Sequence, residues 1–110
     1  MKMYLDTSTD TCILRLDNQE YKRVGKYDLA EKIFAFIHTS LQSQGADWRD
    51  ITEITFFSGP GSFTGLRIGA ALVNTLSDEL QIPLYDHHGN QHQIILPDYG
   101  RPANISAPRK

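Results

Sequence analysis

The sequence predicts an α/β domain with a mixed sheet, and three observations support this prediction. Three short segments near the start are rich in apolar and β-branched residues and are separated by polar turns, which is typical of antiparallel strands. Two longer stretches place apolar residues at helical spacing. A strand-like segment lies between these two stretches and another follows the second. Strands that alternate with helices indicate parallel pairing, so the whole order predicts a mixed sheet.

Five strands are expected, at residues 3–5, 11–16, 20–24, 51–57 and 82–85. The first strand ends in a polar turn that begins at Asp6. The second and third strands are joined by Asp17, Asn18 and Gln19, a connection that predicts a hairpin. Pro83 suits the start or the edge of the last strand. We expect a mixed five-stranded sheet with two long helices packed on one face.

The two long helices are predicted at residues 28–44 and 62–81. Asp28 can cap the first helix together with Glu31, Gly45 can end it, and Ser62 can cap the second. Apolar residues fill an arc of roughly 160° on the first helix, and small or apolar residues fill an arc of roughly 220° on the second. Packing on one sheet needs only about 100°. The surplus predicts that another surface covers part of both helices.

The glycine-rich segment between the fourth strand and the second helix admits two interpretations. Such a turn can point several N–H groups at a phosphate. The Walker pattern is absent, however, because Leu66-Arg67 stands where that pattern requires lysine and a hydroxyl residue. The alternative is close packing. Gly61, Gly65 and Gly69 are four residues apart and form one bare strip along the helix, which another backbone could approach closely.

The composition restricts the class of protein. The chain has 110 residues, of which 40% are hydrophobic and 22% charged, as expected of one soluble domain. Its net charge is −2, so we expect no large nucleic-acid footprint. Cys12 is the single cysteine and is expected in the core, since it cannot form an internal disulfide. The sequence lacks a membrane-length apolar run and a signal peptide, which predicts a cytoplasmic protein.

The run Gly-Pro-Gly-Ser-Phe-Thr-Gly-Leu-Arg-Ile-Gly at residues 59–69, together with Leu-Asp-Thr-Ser-Thr at residues 5–9, resembles the TsaB family. This family is the small non-catalytic subunit of the bacterial complex that makes threonylcarbamoyladenosine in tRNA. The resemblance extends over about residues 3–85. Because family members are usually much longer, the chain resembles a shortened member that lacks the usual second half.

The resemblance implies an RNase H-like fold of the actin-like ATPase superfamily, present here as a single subdomain. It also implies a TsaD-like catalytic partner, which transfers the threonylcarbamoyl group to the adenosine beside the anticodon, so that tRNA is contacted only indirectly. That partner carries metal-binding histidines on a helix, and the corresponding residues 26–33 of this chain contain none. The sequence shows no Ser/His/Asp or Cys/His arrangement either. We therefore expect no catalytic residues, no cofactor and no enzymatic activity.

Asp6 is the acidic residue best placed for chemistry, because it ends the first strand. RNase H-like nucleases hold two metal ions at this position with the help of further acids. In this sequence Ser58, which is not an acid, occupies the matching end of the fourth strand. The alternative to metal binding is that Asp6 accepts hydrogen bonds from its own turn. The weak candidates for binding a nucleotide are Asp6, Thr7, Ser8, Gly59 and Gly61.

A histidine-rich segment follows the last predicted strand. His87, His88 and His92, with Asp86, have a spacing that could suit a metal ion, although loop histidines are usually only solvated. We expect the domain to end at residue 92. Residues 93–110 are then a C-terminal strand and an extended tail, with the strand at residues 93–96.

The tail resembles the one that closes longer family members, which often carry Tyr-x-Arg near the end. We expect Tyr99, Arg101 and Pro102 to dock on the domain or on a partner, and residues 106–110 to be mobile.

Three hypotheses for function follow. The chain is a non-catalytic subunit that binds a TsaD-like partner, a small nucleotide-binding domain, or a homodimeric remnant without the pathway role. The wide apolar arcs favour a helical interface, either with that partner or with a second copy. Its expected residues are Leu29, Ile33, Phe36, Gly61, Phe63, Thr64, Gly65, Arg67, Ile68 and Leu72. Arg67 in the first turn would oppose the helix dipole, so we expect it to meet a carboxylate.

Overall fold

The computed structural model describes residues 1–25 and 27–100, which form a six-stranded sheet with two helices. The strand order is β3-β2-β1-β4-β5-β6. The helices are α1 (Leu29–Ser43) and α2 (Phe63–Leu80), and a single 3-10 turn spans Trp48–Asp50. The strands are β1 (Lys2–Asp6), β2 (Thr11–Leu16), β3 (Gln19–Val24), β4 (Glu53–Phe56), β5 (Leu84–Asp86) and β6 (Gln91–His92).

The sheet is parallel at its centre and antiparallel at both sides. β1 and β4 run parallel, with Leu5 opposite Phe56, and β4 and β5 run parallel, with Thr55 opposite Tyr85. The pairs β1–β2, β2–β3 and β5–β6 are antiparallel. The carboxyl ends of β1, β4 and β5 therefore meet at one edge of the sheet, which we call the carboxyl edge.

The core fills the space between one face of the sheet and both helices. Strand side chains alternate, so that Met3 and Leu5 of β1 are buried, while Tyr4 lies on the other face beneath the Arg15 guanidinium, 4.5 Å from the ring centroid. Cys12 is buried, as expected. The largest fully buried side chains are Met3, Leu5, Leu14, Leu16, Ile37, Leu41, Ile54, Phe56, Leu66, Val73, Leu84 and Ile95.

The predicted mixed sheet with two helices on one face is confirmed, but the sheet has six strands instead of five. The additional strand lies in the histidine-rich segment, for which no strand was predicted. Gly89, with φ +87°, reverses the chain and brings Gln91 opposite Tyr85. The strand expected at residues 93–96 does not form, because the side chain of Ile95 enters the core instead.

The helix ends agree with the predicted ones to within one residue. Ser62 caps α2, since its hydroxyl accepts a hydrogen bond from the amide of Gly65 at 3.3 Å. Gly45, with φ +70°, follows the end of α1, as expected. The expected side-chain cap at Asp28 is wrong. Its carboxylate instead accepts hydrogen bonds from both terminal nitrogens of Arg23, at 3.2 and 3.0 Å.

Candidate partner interface

The glycine strip of α2 packs against the loop that follows β1. A Cβ atom at Gly65 would overlap the carbonyl oxygen of Thr7, and one at Gly69 would overlap the Thr7 hydroxyl and the Phe56 ring. A Cβ atom at Gly61 would meet Ser8. The expected close approach is therefore present, but the neighbour is a loop of the same chain. Gly65 is buried against that loop within the same chain.

Hydrogen bonds fasten the same loop to α2. The Thr7 hydroxyl donates to the carbonyl of Gly65 at 2.7 Å in a buried position, and the amide of Ser62 donates to the carbonyl of Ser8 at 2.9 Å. The amide groups of Ser62 and Gly65 are therefore already bonded. Two donors that could otherwise contribute to a phosphate cradle are engaged within the protein, which favours the packing interpretation of the turn.

Asp6 organises its own turn, which confirms that alternative. Its Oδ1 accepts hydrogen bonds from the amide and the hydroxyl of Ser8, at 2.8 and 2.6 Å. The structure brings a second carboxylate, Asp86, to the same edge at the end of β5. The sequence could have predicted that Asp86 lies near Asp6. Strands that alternate with helices pair in parallel, and parallel strands place their carboxyl ends at the same edge.

Asp86 is engaged in a turn of its own. Its Oδ1 accepts hydrogen bonds from the amides of His88 and Asn90, both at 2.9 Å, and its Oδ2 lies 2.8 Å from Nε2 of His92. The hydrogen bond with His92 and those from the Asn90 and His88 amides hold the pKa of Asp86 well below its usual range, despite partial desolvation. The Asp86 carboxylate therefore stabilises the turn between β5 and β6.

The three histidines are not gathered around one point. His92 pairs with Asp86, whereas the ring of His87 packs between Phe57 and His88, with centroid distances of 4.3 and 4.1 Å. Nδ1 of His87 also accepts a hydrogen bond from the amide of Ser58 at 3.3 Å. Across residues 1–25 and 27–100, no three His, Cys, Asp or Glu side chains are arranged to hold a metal ion.

Residues 93–100, which we call the C-terminal strap, pack along α2 and over the glycine-rich turn. The side-chain amide of Asn74 accepts from the Ile95 amide at 2.8 Å and donates to the Ile95 carbonyl at 3.0 Å. The amide of Asp98 donates to the carbonyl of Ser58 at 2.7 Å. The strap thus covers one flank of α2 and part of the carboxyl edge.

Tyr99 belongs to this strap and docks on the domain, as expected. Its ring packs on that of Phe63, with centroids 4.4 Å apart. Arg101, Pro102 and residues 106–110, for which docking and mobility were predicted, lie outside the described residues.

A groove of about 290 Å³ runs between α1 and α2 on the side away from the sheet. It contains three of the predicted interface residues, Ile33, Ile68 and Leu72, of which Ile33 and Leu72 are largely buried. Phe34, which was not among the predicted interface residues, also lines the groove and is 50% exposed. Its complete lining is Ala30, Ile33, Phe34, Ile68, Ala71, Leu72 and Thr75.

The other predicted interface residues are distributed around the groove. Leu29 is buried in the core, and Phe36 lies on the opposite flank of α1 with Lys22 and Arg23. Phe63 is 47% exposed but contacts the strap. Thr64, Arg67 and Gly61 are exposed.

Arg67 lies in the second turn of α2 instead of the first. Among the described residues, no carboxylate lies within ion-pair distance of its guanidinium. It lines a shallow groove on the outer side of the helix with Thr64, Ile68 and Ala71. Neither α1 nor α2 is long and apolar enough to span a membrane.

Comparison with known proteins identifies relatives of this fold. Residues 23–93 match the family model described as TsaD, tRNA N6-adenosine threonylcarbamoyltransferase. The TsaB proteins of Buchnera aphidicola (Schizaphis graminum) and Bacillus subtilis are 33% and 34% identical over 89 and 85 residues. The aligned regions are 74% and 73% of this chain but only 40% and 37% of those proteins, so the chain spans about two fifths of their length.

A solved structure supports the same relationship. YeaZ from Pseudomonas aeruginosa superposes with a TM-score of 0.69 at 29% identity, over 77% of this chain and 42% of that one. The sheet with two helices on one face is thus the part that this chain shares with a longer protein, which is consistent with the expected RNase H-like fold. The similarity to the TsaB relatives shows that this chain belongs to the TsaB family.

Proposed function

We propose that this protein acts in the biosynthesis of threonylcarbamoyladenosine in tRNA as a non-catalytic subunit, binding a TsaD-type catalytic subunit through α1 and α2. The observation that carries the proposal is the groove between the helices. Phe34 is half exposed at its wall, and Ala30 and Ala71 leave space for a side chain from another protein. Exposed apolar surface of this kind is typical of protein–protein contact sites.

The carboxyl edge supports a binding role over a chemical one. Asp6 and Asp86, which end β1 and β5 at this edge, accept hydrogen bonds from their own turns. Gly59 lies directly under the carbonyl of Asp98 in the strap, so backbone already occupies the space above the glycine-rich turn. A nucleotide-binding role would require the strap to move away from this turn.

The proposal is tested by binding to the catalytic subunit encoded in the same genome. The exposed variant Phe34→Asp should weaken association at least about tenfold, because a charge would be buried in an apolar contact. Leu72→Asp is unsuitable as a test, since Leu72 is 5% exposed and its substitution would disrupt the core. Val24→Asp is the matched control, because Val24 is 76% exposed and lies on β3, away from the groove.

Sedimentation of mixtures measures association, and the threonylcarbamoyladenosine content of tRNA in cells that depend on this chain measures function. Both readouts should fall for Phe34→Asp and stay unchanged for Val24→Asp. Binding of the catalytic subunit that is equally strong for wild type and Phe34→Asp would refute the proposed interface. Full modification in cells that lack the chain would refute the proposed role.

A further inference from the structure

The outer edge of β3 is free to pair with another strand. β3 is the last strand on its side of the sheet, so within the described residues only β2 pairs with it. The amide of Gly25 donates to the carbonyl of Asp10 at 3.0 Å, and bonded pairs alternate along an antiparallel ladder. The odd-numbered residues of β3 therefore bond to β2. The even-numbered residues direct their amides and carbonyls outwards, and these are Glu20, Lys22 and Val24.

A shallow cleft of about 380 Å³, which we call the basic cleft, lies beside this edge between β3 and α1. Three cations line it, Lys22, Arg23 and Lys32, and none of the described carboxylates does. On the α1 side, Phe36 follows Lys32 by four residues, so the two side chains lie on the same face of the helix, one turn apart. The cleft thus combines positive charge with an apolar surface.

Lys32 is the cation of the basic cleft that is open to a new carboxylate. Arg23 already binds Asp28 through both terminal nitrogens, at 3.2 and 3.0 Å, and Nζ of Lys22 lies 3.5 Å from a carboxylate oxygen of Glu20. Lys32 is exposed and has no ion-pair partner within residues 1–25 and 27–100. A partner that brings a carboxylate to this cleft therefore gains an ion pair without breaking one.

We infer that an extended acidic segment of another protein binds here, added to the sheet beside β3. Its backbone pairs with the outward groups of β3, and alternate side chains enter the basic cleft. Lys32 and Phe36 are about 6 Å apart along the axis of α1, and alternate side chains of a strand are about 7 Å apart. The segment therefore carries a carboxylate opposite Lys32 and an apolar side chain two positions away, opposite Phe36.

This surface is separate from the groove between α1 and α2. No residue lines both, because the basic cleft lies on the flank of α1 that faces β3. The inference therefore goes beyond the proposed function and does not depend on it. The acidic segment and the catalytic subunit can be bound at the same time.

The test is an NMR titration of the isotope-labelled chain with the blocked peptide Thr-Glu-Thr-Val-Thr-Glu-Thr. This peptide reads the same in both directions, so its valine can face Phe36 and a glutamate can face Lys32 in either strand orientation. The amide signals of the three outward-facing β3 residues should shift and exchange more slowly with water, because they gain hydrogen-bond partners. The amide of Tyr21, which already bonds to β2, should change less. The matched peptide with lysine in place of both glutamates should bind at least about tenfold more weakly.

Two variants test the charge and the backbone separately. Lys32→Glu should weaken binding of the glutamate peptide at least about tenfold, whereas Arg49→Glu, which reverses an exposed charge outside the basic cleft, should bind it like the wild type. Val24→Pro removes one outward amide at an edge position where proline is tolerated, and it should also weaken binding about tenfold. Thermal unfolding checks that each variant remains folded, and Lys32→Glu decides if Val24→Pro does not.

Three results would overturn the inference. The first is no change in the β3 amide signals at about 5 mM peptide, where a complex with a Kd near 1 mM would be largely formed. The second is equal affinity for the glutamate and lysine peptides, or equal affinity of wild type and Lys32→Glu for the glutamate peptide. The third is a set of shifts confined to the groove between α1 and α2, which would place the peptide at a different surface.

Discussion

Replacement of Gly65 by alanine is the most direct test of how α2 is fixed to the sheet. Alanine normally stabilises a helix by about 1 kcal/mol relative to glycine. At this position its Cβ atom would overlap the backbone carbonyl oxygen of Thr7. Because the obstacle is backbone and not the end of a flexible side chain, α2 and the loop after β1 have to move apart.

The size of the effect follows from two contacts. Forcing additional volume into a packed site costs about 1–3 kcal/mol. Separation of the two backbones also lengthens the buried hydrogen bond from the Thr7 hydroxyl to the Gly65 carbonyl, now 2.7 Å, at a further cost of about 1–3 kcal/mol. After the helix gain is subtracted, the expected loss in the free energy of unfolding is about 3 kcal/mol. In a domain of this size such a loss lowers Tm by about 10–20 °C.

The measurement is urea and thermal unfolding followed by circular dichroism. Ala71→Gly is the matched control, because it exchanges the same two residue types in the same helix at an exposed position and should cost only about 1 kcal/mol. If Gly65→Ala proves as stable as the wild type, the close contact between α2 and the loop after β1 does not exist in solution.

Three other predictions concern single side chains. The pKa of Asp86 is lowered by its hydrogen bonds, so this carboxylate should contribute to the free energy of unfolding above about pH 4. That contribution should be lost as the pH falls through the lowered pKa. Acid unfolding of Asp86→Asn should therefore lack this loss of stability. Burial raises the pKa of Cys12 to about 11, so at pH 8 its thiol should react with a disulfide reagent far more slowly in the folded chain than in urea. Asn74→Ala should leave the backbone amide and carbonyl of Ile95 without partners, which should destabilise the domain by about 1–3 kcal/mol and speed amide exchange in the strap. Asn74→Asp keeps the acceptor for the Ile95 amide and should therefore destabilise the domain less.

Local patterns in the sequence were sufficient for most of the fold. The helical periodicity and the capping residue Ser62 placed α2 to within one residue, and the turn after residue 16 predicted the β2–β3 hairpin. The glycine spacing predicted a close backbone approach. These features depend on neighbours within a few residues, which a single sequence displays directly.

The incorrect predictions concern contacts between distant segments. The identity of the segment that meets Gly65 depends on the parallel pairing of β1 with β4, which brings Thr7 under α2. Ile95 looked like part of a strand because it is β-branched and has apolar neighbours, yet the side chain of Asn74 holds its backbone instead. The width of an apolar arc likewise did not distinguish Leu72, which the core buries, from Phe34, which remains half exposed.

The parallel centre of the sheet also determines the order in which the chain can fold. The β1–β2–β3 meander is local and can form early, but β1 acquires its second neighbour only when Phe56 comes opposite Leu5. Until then, the edge of β1 and the apolar face with Leu5 and Leu14 stay uncovered, which is the kind of surface that promotes aggregation during synthesis. We therefore expect formation of the β1–β4 pair to be the slow step of refolding, and the yield of folded protein to fall as the concentration of unfolded chain rises.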